Sequence, residues 1–199
     1  MAEIKLFNKW STVGITVTDA GLARYINFKP ILVPRSEGRN STTKFHKNKA
    51  TIVERLVNKL QVAGHKGKKH KVSSGRLTGK TYKATTIVLD AFEIIERVTH
   101  ENPLKVLIKA VENASPREEI TTIEYGGAKY PQAVDCAPQR RIDVALRQMT
   151  QGAYSKAFDA KKTVHEALAE EIIAAYKNDQ ASQAVSKKLE LERQADSSR

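Results

Sequence analysis

Ile120-Thr-Thr-Ile-Glu-Tyr125, then Gly126-Gly127, then Ala128-Lys-Tyr-Pro-Gln-Ala-Val-Asp135, is two runs of strand-forming residues around a turn that tolerates positive φ. It predicts a β-hairpin, residues 117–136 with its flanks. Nearly everything around it has helical periodicity, so the ribbon has no sheet to join, and an isolated ribbon is marginal in water. Pro131 removes a ladder donor, and neither face carries a continuous apolar row. The hairpin is therefore expected to project from a helical body and to be completed by a partner. An ordinary surface ribbon lying flat on the helices is the alternative.

On both sides of the hairpin, apolar residues recur at helical spacing. Upstream, Ile52, Val53, Leu56, Val57 and Leu60 mark one face of a helix within residues 50–62. A longer helix starting at Thr81 or Thr85 carries the stripe Ile87, Val88, Ala91, Ile94, Ile95 and Val98 and ends near His100. Asn102-Pro103 pairs an N-cap with a first-turn proline, so Leu104, Leu107, Ile108 and Val111 line the next helix. Downstream, Pro138 opens a helix with Ile142, Ala145, Leu146 and Met149 buried, and Gly152 permits a break. Thr163-Val-His-Glu166 is a capping box for the last large helix, with Val164, Leu168, Ile172 and Ala175 on one side.

Residues 178–199 read as a polar tail, helical only in part. Residues 1–50 read as a segment that wraps the body, with a short helix between Asp19 and Ile26, anchorage at Phe7 and Trp10, and a basic arm at its end. The expected fold is mainly α: a single domain, 1–199, built as a bundle of about six helices with one protruding β-hairpin and basic extensions.

Thirty-four Lys and Arg against 22 Asp and Glu give a net charge of +12, which calls for a polyanionic partner. The distribution is more telling. Arg35 to Lys49 carries +4, and Gly64 to Lys83, which holds no acid, carries +7. These two segments hold +11 of the +12, whereas a merely solvated face mixes both signs. Phe45 lies among the cations of the first segment, placed either to stack on a base or to pin the arm to the core. Arg140 and Arg141 fall in a helical first turn, where cations are unfavourable unless an anion is present. A single cysteine, Cys136, rules out an internal disulfide, and with no signal peptide and no long apolar span the expected setting is cytosolic.

Catalytic and metal patterns fail on inspection. The P-loop motif places four residues between its two glycines, whereas Gly75 and Gly79 of Gly75-Arg-Leu-Thr-Gly79-Lys80-Thr81 are separated by three, with no apolar strand before them. His165-Glu166 resembles the start of a zinc-protease helix, but Ala169 stands where the second histidine belongs. His46, His65, His70 and His100 have no ligand spacing with Cys136 or each other. No cofactor, metal or small-molecule substrate is expected, and the chain reads as a binder rather than an enzyme. A membrane ranks last among the polyanions, since no apolar insertion face accompanies the lysines. Several non-equivalent basic elements on one body suit a folded RNA better than a regular duplex, with an architectural DNA-binding protein as the runner-up.

Ile52-Val-Glu-Arg-Leu-Val-Asn-Lys-Leu60, Gly79-Lys80 ahead of Ala91-Phe-Glu-Ile-Ile95, Asn102-Pro-Leu104 and Asn113-Ala-Ser-Pro-Arg-Glu118 occur here in order. Tyr125-Gly-Gly-Ala128, Gln132-Ala-Val-Asp135 and Pro138-Gln-Arg-Arg141 follow them. Together these runs resemble the universal small-subunit ribosomal protein number seven, bacterial "S seven" and eukaryotic "S five", over essentially the whole chain. Ile4-Lys-Leu-Phe-Asn-Lys-Trp10 and the ending from Leu191 look like the archaeal and eukaryotic branch, and a start so soon before Ile4, without a long acidic extension, most resembles an archaeal member.

The resemblance implies a structural constituent of the small subunit that binds the 3′ major domain of its rRNA and nucleates assembly of the head. It places the hairpin at the subunit interface near exit-site tRNA and the mRNA path, with ribosomal proteins of the head and platform as neighbours. Carried over by position, the rRNA-binding candidates are Arg35, Arg39, Lys44, Lys47, Lys80, Lys83, Arg140 and Arg141. Gly126, Gly127 and Lys129 are the candidates for facing tRNA or mRNA. Lys68, Lys69 and Lys71 are further rRNA-binding candidates, with a solvated loop as the alternative, because they fall in what looks like an insertion, Gly67 to Thr78, relative to the family pattern.

Overall fold

The computed structural model of the chain describes residues 4–64 and 79–199, so the insertion with Lys68, Lys69 and Lys71 lies outside the described residues. The order is α1 (Ala20–Ala23), α2 (Ile52–Leu60), α3 (Thr81–Thr99), α4 (Pro103–Ala114), β1 (Glu118–Tyr125), β2 (Ala128–Asp135), α5 (Pro138–Ala157), α6 (Val164–Tyr176) and α7 (Gln183–Asp196). Two single 3-10 turns, Arg39–Ser41 and His46–Lys49, shape the basic arm. The fold is mainly helical with one two-stranded antiparallel hairpin, as the sequence patterns require. Among the described residues no helix is long and apolar enough to cross a membrane.

Helix α6 occupies the centre, against α3, α4 and α5. Its alanines explain the position: Ala167, Ala169 and Ala175 are fully buried with Leu168 and Ile172, and small side chains on several faces let three neighbours approach at once. The capping box forms as read, with the Thr163 amide donating to the Glu166 carboxylate at 3.0 Å. Asn102 also caps as read, its side chain accepting from the Leu104 amide at 3.0 Å.

The α3 stripe is rotated from the expected one. Ala84, Val88, Ala91, Phe92 and Ile95 are buried, while Ile87 and Ile94 sit half-buried on the flank and Val98 is exposed. Buried residues spaced by three and four identify Phe92 as the centre of that face. Phe92 is also where the N-terminal segment lands: the Trp10 ring meets it edge-on at 5.6 Å, and the indole N–H donates to Glu96 at 3.0 Å. Phe7 in turn packs edge-on against Trp10, so both expected anchors hold. Further along, the Thr18 and Asp19 amides donate to the Glu112 carboxylate on α4.

The hairpin turn has both glycines at positive φ, 58° and 81°, which two-residue primed turns demand. Register runs from Glu118 opposite Asp135 to Tyr125 opposite Ala128. Every residue from Thr121 to Gln132 is exposed, so the outer half projects from the body. Its base does not stand alone. Segment 178–199 is helical in part, as expected: Gln183–Asp196 form α7, which packs against β1 and α5, with Ala184, Val185 and Ala195 buried. The Arg117 amide donates to Glu192, and Arg199 pairs with Glu118.

Gly152 makes no break; α5 runs through it to Ala157. The glycine is needed for close approach: a Cβ there would lie 3.0 Å from the Glu171 carboxyl carbon. Glu171 is fully buried, accepts from Ser182 Oγ at 2.8 Å and the Ala184 amide at 3.2 Å, and pairs with Lys156 at 2.7 Å. One carboxylate thus caps the start of α7 and ties it to α5 and α6.

Candidate nucleic-acid interface

The first basic segment is fixed to the body at two points. Upstream, the Ser36 amide donates at 3.0 Å to Glu54 on α2. Downstream, Lys47 pairs at 2.6 Å with Asp143 on α5, which also accepts from Arg55 Nη2 at 3.2 Å. Between these pins the two 3-10 turns hold Arg39, Lys44 and Phe45 outward. Phe45 is 72% exposed, so it does not pin the arm to the core; the stacking reading is the one its position permits. It adopts φ 66°, a left-handed conformation costly for a bulky residue, with Lys44 Nζ 5.5 Å from its ring centroid. Arm, α2 and α5 enclose a groove of about 940 Å³.

The candidate cations differ in availability. Arg39, Lys44, Lys80 and Lys83 are exposed, and among the described residues none has an ion-pair partner. Arg35 is exposed and only loosely paired with Glu37, at 3.4 Å. Lys80 is the N-cap of α3 and Lys83 lies inside its first turn rather than ahead of it. Among the described residues no side chain caps that helix, so two cations sit beside its first-turn amides, an arrangement that an external anion would stabilise.

The first-turn pair of α5 is answered from inside the protein. Arg141, its side chain only 11% exposed, pairs with Asp19 at 2.8 Å and donates through Nε to the Pro116 carbonyl at 3.1 Å. The anion expected beside it is therefore Asp19, and Arg141 staples the N-terminal segment to α5. Arg140 forms a two-pronged pair with Glu119 at the hairpin base, at 2.5 and 2.6 Å, yet remains more than half exposed. Beside them, burial and Glu119 push the Cys136 thiol up to about 11, leaving it protonated and unreactive at neutral pH.

Three cations escaped the sequence reading. Lys59 lies one turn from Arg55 on α2, and Arg147 one turn from Asp143 on α5, so i,i+4 spacing from the charged pair could have found both. Arg55 is missed for another reason: within an apolar face it is 3% exposed, and its Nε has no hydrogen-bond partner. Lys47, Arg55, Lys59 and Arg147 surround the single carboxylate of Asp143. Burial works to raise the Asp143 carboxyl, but the Lys47 hydrogen bond and the Arg55 and Lys47 charges outweigh it and hold it below the ordinary value. The stability this supplies is complete above the unfolded carboxyl pKa of about 3.9 and is lost as pH falls through the lower folded value. Asp143→Ala is expected to cost roughly 2–4 kcal/mol in urea unfolding at pH 7, a deficit that narrows towards pH 3. A deficit independent of pH would mean that the carboxylate charge contributes nothing.

On the hairpin, Gly126, Gly127 and Lys129 are exposed at the tip, and Lys129 lies across from Glu124. Tyr125, Tyr130 and Ile123 share one face of the ribbon and are exposed, so the tip offers stacking surface rather than charge.

A family model described as Ribosomal protein S7p/S5e matches residues 23–199. This chain belongs to that family. It is 53% identical over 197 residues to the small ribosomal subunit protein uS7 of Nanoarchaeum equitans, an alignment spanning 99% of this chain and all of the relative. It is 50% identical over 198 residues to the protein of the same name from Methanococcus aeolicus, with equal coverage. For an S7p/S5e protein, the exposed cations of the arm and of the α3 start lie on the elements that α2 and α5 position.

Proposed function

We propose that this chain is a structural protein of the small ribosomal subunit, not an enzyme, that binds the 3′ major domain of the subunit rRNA and nucleates assembly of the head. The observation that carries the RNA-binding reading is the arm held across α2 and α5, with Arg39, Lys44, Lys80 and Lys83 exposed and, among the described residues, without an ion-pair partner. Cations without internal partners gain most from phosphate, because no ion pair is broken to release them. Arg35, Lys47 and Arg140 each donate to a carboxylate of the protein while staying partly exposed, and serve as secondary contacts. The insertion lysines Lys68, Lys69 and Lys71 add contacts in this reading. The projecting tip, with Gly126, Gly127, Lys129 and the two tyrosines, is assigned to exit-site tRNA and the mRNA path, where stacking on unpaired bases suits its composition. Ribosomal proteins of the head and platform are its protein neighbours, and the cytoplasmic ribosome is its location.

Titration against the 3′ major domain and against an unrelated folded RNA of equal length, at several salt concentrations, tests this. A preference of about a hundredfold that survives roughly 0.15 M salt is the expected result. Equal affinities that collapse together as salt rises would reduce the protein to non-specific charge and overturn the reading.

A further inference from the structure

The groove between arm, α2 and α5 is larger than a phosphate contact needs. Its volume, about 940 Å³, lies at the upper end of small-ligand sites, and it has two chemically distinct walls. One wall is the arm, where Phe45 stands exposed beside Lys44. The other is the charged floor formed by Lys47, Arg55 and Lys59 around Asp143. Past Asp143 the surface continues into a second hollow of about 310 Å³, lined by Gln139, Arg140, Val144 and Arg147.

Charge on this floor is under-compensated. Asp143 answers Lys47 and Arg55 directly; the two other carboxylates that line the groove are engaged elsewhere, Glu54 by Ser36 and Glu37 by Arg35, and among the described residues neither Lys59 nor Arg147 makes an ion pair or a side-chain hydrogen bond. Arg55 Nε is buried and unpartnered on the same floor. Burial and the charges of Lys47, Arg147 and Arg55 pull the Lys59 ammonium below its ordinary value, against the opposing pull of Asp143. Such crowding is relieved by one further anion placed between Lys59 and Arg147.

We infer that this groove seats a single unpaired nucleotide of an RNA strand, its base stacked on Phe45 and its phosphodiester against Lys59 and Arg147. Three observations fit this occupant and no simpler one. A free phosphate leaves the exposed ring unused, and a paired duplex presents no base face to it. An acidic peptide supplies the charge but lacks a flat π face for Phe45. The strained φ of Phe45 holds its ring in the open, with the Lys44 ammonium 5.5 Å from its centroid. The RNA that the groove meets in the assembled particle is fixed by the rRNA-binding reading, on which the inference rests; the preference for an unpaired over a paired strand is a property of the groove itself.

The full-length protein is titrated with a ten-nucleotide single-stranded RNA and with the same RNA annealed to its complement. Wild type is expected to prefer the single strand, and Phe45→Leu to weaken single-strand binding about tenfold to a hundredfold while leaving the duplex unchanged. Phe45→Trp is expected to bind at least as tightly and to show fluorescence quenched by the single strand, since the only other tryptophan, Trp10, is buried. The double variant Lys59→Ala/Arg147→Ala is expected to lower the salt slope for the single strand by about 0.7, the share of the one phosphate that the two cations hold, and Phe45→Leu to leave it unchanged. The inference is overturned if Phe45→Leu binds both RNAs like wild type, if it loses equally on both, or if a poly-glutamate peptide competes as well as the single strand. These readouts do not involve rRNA. Loss of preference for the 3′ major domain with the Phe45 effect intact would sink the rRNA reading alone, and the converse would sink this one alone.

Discussion

Simultaneous replacement of Arg35, Arg39, Lys44, Lys80 and Lys83 by alanine is expected to weaken binding to the 3′ major domain on the order of a thousandfold at roughly 0.15 M salt. Each phosphate neutralised in a folded RNA contributes about 0.7–0.9 to the slope of log affinity against log salt, so the five together flatten that slope by about 3.5–4.5. All five side chains are exposed, and among the described residues the only internal ion pair lost is the loose one between Arg35 and Glu37. Stability should therefore move little, with the melting temperature within a few degrees of wild type. A slope unchanged in the variant would show that these cations face solvent or protein rather than RNA. The arm's pins at Ser36 and Lys47 are left in place by design, so loss of affinity cannot be ascribed to an arm that has come loose.

Glu171→Ala is expected to destabilise the protein by about 3 kcal/mol, lowering the melting temperature by roughly 6–12 °C for a chain of this size. The carboxylate is fully buried and satisfies a hydroxyl, a backbone amide and a lysine at once, so its removal strands Ser182 and Ala184 at the start of α7. Lys156 is partly exposed and can turn to water, which keeps the loss below that of a sealed ion pair. Amide exchange should localise the damage to α7 and the hairpin base that it braces. Gly152→Ala provides an independent check, because its Cβ intrudes on the same carboxylate while alanine favours helix by about 1 kcal/mol. A loss below about 1 kcal/mol for Glu171→Ala would mean that Ala184, Val185 and Ala195 dock the helix unaided.

What the sequence revealed depended on whether the governing interaction was local. The Asn102-Pro103 start, the Thr163 to Glu166 capping box and the Gly126-Gly127 turn each resolve within four residues, and all three form as read. Helix faces were legible to about one residue's rotation: α2 matched, whereas α3 was displaced because Phe92 is drawn inward by Trp10, a partner more than eighty positions away. The same distance hid the partner of Arg141, since nothing near Pro138 hints at Asp19. Gly152 looked like a helix breaker because glycine usually is one; its reason, room for a carboxylate on another helix, exists only in three dimensions. The polar tail is helical in part, as read, but its docked face was not legible, since α7 buries mostly small side chains, which weakly mark a face. In the interface, exposed cations were readable as charge runs, but the cluster on Asp143 joins α2 to α5 across 88 positions. Charge supply was legible, then, and charge arrangement was not.

The N-terminal segment is closed by partners made long after it: Trp10 meets Glu96 across 86 positions and Asp19 meets Arg141 across 122. At about 5–20 residues per second, the second clasp waits roughly 6–24 s during synthesis for its catch to exist. Throughout that interval the basic arm, complete in its chemistry, has no α5 to orient it and meets any nearby polyanion as bare charge. On the proposed RNA-binding reading, discrimination among RNAs is therefore acquired late in the life of the nascent chain, and the first residues made are the last to be told where to point.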